Sequence, residues 1–324
     1  MTAWTVDVII LAGGFGTRLR PWTESLPKPL IPLLDMTLIE HSLKILPRNL
    51  IDRVIIAAGY GSSQMREYFE NYEMGMEVMV VDEQEPLGTG GAISNCKEHV
   101  RGPRTLVMNG DLITTVDVEG MLRQHIRNNE LASISLWPVE DPTRYGVADY
   151  SRDNQSILRF QEKPSLEEAY SNLINAGCYI LEESVLTSLK RKPHSIEREV
   201  FPKIAKMGRM GGFQYSGRFI DAGTKSSYLE AMSAAIDDRS FSTGGVVGST
   251  WYGDTSLAKD GIVRSAVAAG CNLGQGVTIE NSAILEGAKI GDGATVKNCL
   301  IGENAVIMEQ SHLENEIVGF NQHM

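Results

Sequence analysis

Near the start of the chain, three cations and three glycines fall within one short stretch, LAGGFGTRLRPWTESLPKPL, residues 11–30. Gly13, Gly14 and Gly16 carry no side chain, so backbone N–H groups there can approach an anion closely. Arg18 follows, and Lys28 stands between Pro27 and Pro29. The flanking prolines stiffen the backbone and keep a cation in place at low entropic cost. An apolar run, a glycine-rich turn and then a basic residue is an order that holds phosphate. Two familiar phosphate loops do not fit. A Walker A loop ends Gly-Lys-Ser/Thr, whereas this one reads Gly16-Thr17-Arg18. The dinucleotide fingerprint needs a third glycine where Leu19 stands.

Two aspartates offer the hard oxygen ligands that a divalent cation takes. Asp111 closes TLVMNGD and Asp221 lies in FIDAGT. Each also has a purely local reading. Asn109-Gly110 is a turn signal, and Asp221 can cap a helix that begins near Thr224. Lys163, in EKP, is either a phosphate contact or a surface lysine beside a proline turn.

Around these residues, strand-like and helix-like segments alternate. Val6–Leu11, 53–58, 77–81 and 105–108 read as strands. Residues 37–46 open with a capping box, Thr37 with Glu40, and Ser62–Glu70 and Val118–Asn128 also read as helices. Such alternation predicts a mainly parallel sheet covered on both faces, with ligands at the carboxyl ends of the strands. Leu11 and Asn109 stand at two such ends. Short strands follow over 131–180, then helices over 182–191, 195–207 and 224–236. Residues 237–253 are rich in Gly, Ser and Thr and read as a linker. Beyond them Leu273, Ile279, Leu285, Ile290, Val296, Ile301 and Ile307 recur every five or six residues. That period fits neither one strand nor one helix face; it predicts a parallel β-helix of two to three coils.

The 324 residues make one large domain or two, with 42% hydrophobic and 22% charged residues. A net charge of −11 argues against nucleic acid as a partner. The chain shows no apolar run long enough to span a membrane and no secretory signal at its start. Cys96, Cys178, Cys271 and Cys299 lack metal or redox spacing, so they are expected to be reduced, buried thiols of a cytoplasmic protein.

In order along the chain, the opening stretch is followed by EPLGTGGA (85–92), NGD (109–111), YGV (145–147), EKP (162–164), NAGCYI (175–180) and FIDAGT (219–224). This series resembles the sugar-1-phosphate nucleotidylyltransferases, the nucleoside-diphosphate-sugar pyrophosphorylases, over nearly the whole chain. The resemblance implies an α/β class: a Rossmann-like mixed, mainly parallel sheet with a short left-handed parallel β-helix at the C-terminus. It implies a catalytic domain over 1–236, a linker over 237–261 and a hexapeptide-repeat domain over 262–324. The implied reaction moves a nucleotidyl group from a nucleoside triphosphate to a sugar 1-phosphate and releases pyrophosphate, with Mg²⁺ as cofactor. Asp111 and Asp221 would hold the metal. Arg18 would steady the leaving pyrophosphate, Lys28 would touch the nucleotide phosphates and Lys163 the sugar phosphate. Leu11, Ala12, Gly13, Gly14, Gly16, Thr17, Pro86, Leu87, Gly88 and Thr89 would bind the nucleotide. Asn109, Gly110, Gly146, Glu162 and Asn175 would bind the sugar.

The base-contacting stretch reads Leu87-Gly88-Thr89-Gly90-Gly91-Ala92, without the glutamine of uridylyl- and thymidylyltransferases. It is more similar to guanylyltransferases. Residues 193–202, PHSIEREVFP, resemble a segment of the mannose-1-phosphate guanylyltransferases, which makes GDP-mannose synthesis the first expectation. The Gly90-Gly91 pair resembles heptose-1-phosphate guanylyltransferases instead, and a glucose-1-phosphate uridylyl- or thymidylyltransferase is a further alternative. A non-catalytic regulatory subunit should lack one of the charged positions; Arg18, Lys28, Asp111, Lys163 and Asp221 are all present. An acyltransferase activity in the β-helix is disfavoured because 273–307 contains no histidine. The repeat is expected to pack subunits into a homo-oligomer.

Overall fold

The computed structural model describes residues 5–71 and 75–324. The chain divides into two compact units. The first takes in the chain up to Gly14 with Ser42–Gly110 and Thr114–Phe219; the second takes Phe15–His41, Asp111–Ile113 and Ile220–Met324.

The first unit is built on a nine-stranded sheet. Its strands run, in spatial order, Glu77–Asp82, Ile51–Ala58, Val6–Leu11, Arg104–Asn109, Leu173–Glu182, Ala132–Pro138, Met210–Gln214, Ser156–Glu162 and Gly146–Ser151. The first four are mutually parallel. The rest is mixed: Leu173–Glu182 runs antiparallel to both its neighbours, and Met210–Gln214 is parallel to Ala132–Pro138. Val8, Ile9 and Ile10 are all fully buried, as are Val54 to Ala58, so these central strands are covered on both faces. One side of the core joins Ile9, Ile55, Val107, Ile134, Tyr179 and Phe201.

The glycine-rich stretch after Leu87 is a helix, Gly88–Cys96. The expected helix over 195–207 is two short ones, Ile196–Glu199 and Phe201–Lys206, with Pro202 in the first turn of the second. Proline cannot donate within the preceding turn but suits a helix start.

In the second unit, Ile262 pairs with Ile279, Ile279 with Val296 and Val296 with Leu313, so one coil takes seventeen residues. Three ladders, parallel except at the edge strand Gly245–Val247, form the walls of this β-helix. Its corners use left-handed backbone at the same period: Arg264, Asn281, Asn298 and Asn315 at one, and Gly270, Gly287, Asn304 and Asn321 at another. Only Gly, and to a lesser degree Asn, adopts that conformation readily. Inside, Ser282 N donates to Ser265 Oγ at 3.1 Å and Cys299 N to Ser282 Oγ at 3.0 Å, satisfying buried backbone between coils. Part of the expected linker over 237–261 belongs to the largest ladder, as strands Gly245–Val247 and Thr250–Tyr252 with Trp251 buried.

The segment that carries Arg18 and Lys28 packs into this same unit. Trp22 is fully buried, and its indole N–H donates to the carbonyl of Val318 at 2.8 Å. The Trp22 ring meets Tyr228 edge-on at 5.5 Å and Phe320 at 5.9 Å between centroids. The Tyr228 hydroxyl donates to the carbonyl of Pro32. Helix Lys225–Asp237, capped by Thr224 in a reciprocal box with Ser227, lends Leu229 and Met232 to the shared core.

Candidate functional site

Two groups of site residues take shape, one in each unit. In the second, the chain leaves Gly16 in left-handed conformation, φ 60°, and winds a single 3-10 turn, Thr17–Leu19. A Cβ on Gly16 would lie 2.8 Å from Thr23 Cγ2 and 3.0 Å from Lys28 Cβ, so glycine alone lets the loop fold against both. Thr23 Oγ1 donates to the Gly16 carbonyl at 3.0 Å. Leu19 is buried, which anchors the turn and leaves Arg18 exposed. Lys28 starts a second 3-10 turn, Lys28–Leu30, and is itself buried.

The Lys28 ammonium donates to Asp111 Oδ2 and lies 3.4 Å from Asp221 Oδ1. Ala222 N donates to the Asp111 carbonyl at 3.2 Å, which ties the two aspartate segments together. Gly223 sits at the centre. A Cβ there would be 2.7 Å from Arg18 Nη2, 2.8 Å from Asp221 Oδ1 and 2.9 Å from Lys28 Nζ. Three charged groups from separate parts of the sequence therefore meet around a residue with no side chain, and Asp111 joins them through Lys28. Gly223 was missed by sequence reasoning; its only signal was its place after Asp221.

Among the described residues, no three His, Cys, Asp or Glu side chains cluster to hold a metal by themselves. Two carboxylates that already converge on one positive charge suit an ion that takes one or two protein oxygens and fills its shell with phosphates and water. Mg²⁺ binds in this way, so Asp111 and Asp221 fit it.

In the first unit, Leu11 ends its strand opposite Asn109, and Gly110 N donates to the Leu11 carbonyl at 3.0 Å. Ala12 N donates to the Ala57 carbonyl at 2.9 Å, and a Cβ on Gly59 would meet the Gly13 carbonyl at 3.0 Å. Gly14 has open space around it and is exposed. Beside this turn stands Glu83, which sequence reasoning also missed. Its Oε2 accepts from Leu87 N at 3.3 Å, and a Cβ on Gly13 would lie 2.9 Å from its Oε1. Burial pushes the Glu83 carboxyl up from its ordinary value. Pro86 precedes Leu87, the N-cap of the helix that opens at Gly88 and Thr89.

The glycine pair after Thr89 has a packing cause. Gly90 N donates to the His194 carbonyl at 3.0 Å, and a Cβ on Gly90 would strike the His194 ring. A Cβ on Gly91 would lie 2.5 Å from the Lys192 carbonyl oxygen. The helix thus lies directly on 192–194, the segment leading into SIEREVFP.

Gly146 and Glu162 are paired across adjacent strands. A Cβ on Gly146 would meet the Phe160 ring and sit 2.8 Å from Glu162 Oε2, so the glycine makes room for the Glu162 carboxylate. Burial, then the charge of Glu197, raises the Glu162 carboxyl above its ordinary value. Lys163 adopts φ 52° and lies 3.8 Å from Glu162 Oε1, with its side chain exposed. A non-glycine residue in left-handed backbone is uncommon and concentrates at functional positions. Asn175 Nδ2 donates to the Tyr179 hydroxyl at 2.9 Å, and Asn175 Oδ1 accepts from Gly177 N at 3.0 Å. Thr89 Oγ1 donates to Glu197 Oε2 at 2.5 Å, so its single hydroxyl proton is committed within the protein.

All four cysteines are free and buried, and burial pushes the thiols of Cys96 and Cys178 up to about 12. Among the described residues no helix is long and apolar enough to cross a membrane.

Comparison with known proteins bears on both units. Residues 7–238 match the model of the nucleotidyl transferase family, and residues 258–322 match the GMPPB C-terminal domain. The mannose-1-phosphate guanylyltransferase catalytic subunit beta of Xenopus tropicalis is 34% identical over 231 residues, which is 70% of this chain and 64% of that protein. Mannose-1-phosphate guanylyltransferase 1 of Arabidopsis thaliana is 31% identical over 289 residues, 85% of this chain and 80% of its own length. The crystal structure of HddC from Yersinia pseudotuberculosis complexed with GMP-PN is similar at a TM-score of 0.60 and 28% identity, covering 70% of this chain and 98% of that one. The chain thus spans 64% of the length of the Xenopus tropicalis relative. The nine-stranded sheet, the parallel coils and these matches agree, and the chain belongs to the nucleotidyl transferase family.

Proposed function

We propose that this protein is a mannose-1-phosphate guanylyltransferase, which makes GDP-mannose and pyrophosphate from GTP and mannose 1-phosphate. The observation that carries the reading is the meeting of Arg18, Lys28 and Asp221 around Gly223, with Asp111 paired to Lys28. A phosphate oxygen of the sugar phosphate attacks the α-phosphorus of GTP in line, the bond from that phosphorus to the bridging oxygen breaks, and pyrophosphate leaves. Such a transfer asks for positioning and charge neutralisation rather than a protein nucleophile. Arg18 and Lys28 draw the developing charge off the leaving pyrophosphate. Asp111 and Asp221 hold Mg²⁺, which when bound supplies further neutralisation at the phosphates. Lys163 takes the sugar phosphate, and Glu162 and Asn175 take sugar hydroxyls. Gly13, Gly14, Gly16 and Thr17 present backbone N–H groups to the nucleotide phosphates.

Glu83 supports guanine as the base. The pairing edge of guanine offers N1–H and N2–H₂, two adjacent donors that one carboxylate accepts together; uracil and thymine offer a single donor between two carbonyl oxygens that a carboxylate repels. We place the catalytic domain in 1–236 and the repeat domain in 262–324, joined through 237–261. A homo-oligomer through the β-helix and a cytoplasmic setting complete the proposal; a monomer by light scattering would remove the former.

Pyrophosphate release across a grid of nucleoside triphosphates and sugar 1-phosphates with Mg²⁺ tests the reading. A single maximum at GTP with mannose 1-phosphate is expected. A maximum at UTP or dTTP with glucose 1-phosphate, and none with the guanine pair, overturns it.

A further inference from the structure

Glu197 is buried, 8% exposed, on the short helix Ile196–Glu199 whose N-cap is Ser195. Its Oε2 accepts from Thr89 Oγ1 at 2.5 Å and from Ser195 Oγ at 2.6 Å, and its Oε1 accepts from the Tyr179 hydroxyl at 3.2 Å. Ile196 N in turn donates to Thr89 Oγ1 at 3.1 Å, and Asn175 Nδ2 donates to the Tyr179 hydroxyl at 2.9 Å. One carboxylate therefore joins the helix that begins at Gly88 to the strand that carries Asn175. Both of those segments were expected to touch substrate, the first the nucleotide and the second the sugar.

A buried carboxylate is unfavourable unless its lone pairs are met, and here three hydroxyls from three separate segments meet them. A structural tie between helix and strand needs only an apolar contact. A hydroxyl–carboxylate–hydroxyl chain adds direction: moving Thr89 reorients the carboxylate, and with it Tyr179 and the Asn175 amide.

We propose that Glu197 is a positioning residue that couples the nucleotide half of the site to the sugar half, so that seating one substrate preorganises the contacts of the other. This rests on the assignment of Thr89 and Asn175 to the two substrates made above. It also gives the Ser195–Glu197 part of SIEREVFP a task that sequence similarity left unassigned.

The test begins with the full-length enzyme and whichever substrate pair gives the fastest pyrophosphate release. The KM for the nucleotide is measured at low and at saturating sugar phosphate. In the unmodified enzyme saturation should lower that KM about fivefold or more, within the usual range of coupling between sites. In Glu197→Gln the ratio should fall to within about twofold of unity, with the KM at low sugar phosphate little changed. Tyr179→Phe, which removes one donor and keeps the ring, should give the same loss and serves if Glu197→Gln does not fold. In the ligand-free protein, Tyr179→Phe should also speed amide hydrogen exchange at 88–92, on the far side of the carboxylate. An unchanged KM ratio in the variants, no ratio in the unmodified enzyme, or unchanged exchange at 88–92 overturns the coupling. A fastest pair other than GTP with mannose 1-phosphate, or no turnover at all, defeats the substrate assignment instead, and the exchange measurement still decides the relay.

Discussion

Around Gly223, three charged side chains meet where no side chain stands, and Asp111 pairs with one of them; around Glu197, one carboxylate is enclosed by hydroxyls. The first group brings opposite charges into contact, with the Lys28 ammonium between Asp111 and Asp221, so a bound ligand changes the balance there. In the second, each proton already has an acceptor, so its members shift together when one of them moves. The contrast suggests a division of labour. On the function proposed above, paired charges meet the reacting phosphate, and a linked chain of hydrogen bonds serves the recognition of neutral hydroxyls and a base.

Substitutions can break that contrast at either end. Asp111→Asn should have the largest effect, lowering turnover by about 10³-fold while the folded state persists. Pyrophosphate release alongside thermal unfolding checks this, and turnover within tenfold of the unmodified enzyme would remove the aspartate from the chemistry. Gly223→Ala comes next, with kcat/KM falling about 10²-fold because three charged tips must move aside. Those tips are flexible, so urea unfolding should change by less than about 0.5 kcal/mol; a large loss of stability would mean the centre is packed rather than rearrangeable.

Gly91→Ala probes the second region. Its Cβ would press on the backbone carbonyl of Lys192, which cannot step aside cheaply. A destabilisation of about 1–3 kcal/mol is expected in urea, and an unchanged midpoint would show that 192–194 yields freely. The smallest effect concerns pH. Burial and the charge of Glu197 raise the Glu162 carboxyl in the folded state, so the folded chain holds that proton more tightly than the unfolded chain does. The stabilisation is complete below the ordinary glutamate range and is lost as pH rises through the raised folded value. Glu162→Gln, which cannot ionise, should therefore gain stability relative to the unmodified protein as pH climbs from about 4 toward 7. A difference that stays flat across that window would contradict the burial argument.

Much of the frame was legible because apolar period and turn chemistry agree locally. The buried strands at Val6–Leu11 and Ile51–Ala58 and the helices Ser62–Glu70 and Val118–Asn128 followed from pattern alone. What stayed hidden depends on distant partners. Gly88–Cys96 is glycine-rich, which speaks against a helix, yet its small residues are what let it lie on 192–194. The strands within 237–261 were masked by polar composition, though Trp251 and Tyr252 marked a buried turn of chain. The charged residues of the site could be picked out one at a time, but their meeting at Gly223 could not, because no local rule links residues 18, 28, 111 and 221. Glu83 and Glu197 were passed over for the same reason: a lone glutamate carries no periodic or spacing signal, and only its donors reveal it. The β-helix period was visible, and the Asn and Gly corners at seventeen-residue intervals would have sharpened it.

The bond from Trp22 to Val318 spans 296 residues. During synthesis, the segment with Arg18 and Lys28 leaves the ribosome long before the coil it rests on. At about 5–20 residues per second, the wait lasts on the order of 15–60 s. Throughout that time an indole that ends fully buried has no partner in its own unit's final coil, and contacts of such long sequence separation form slowly. The turn that carries Arg18 and Lys28 therefore completes its packing late although it is made early, and a ribosome that stalls within the coils releases a chain whose Trp22 has Tyr228 beside it but lacks Val318 and Phe320.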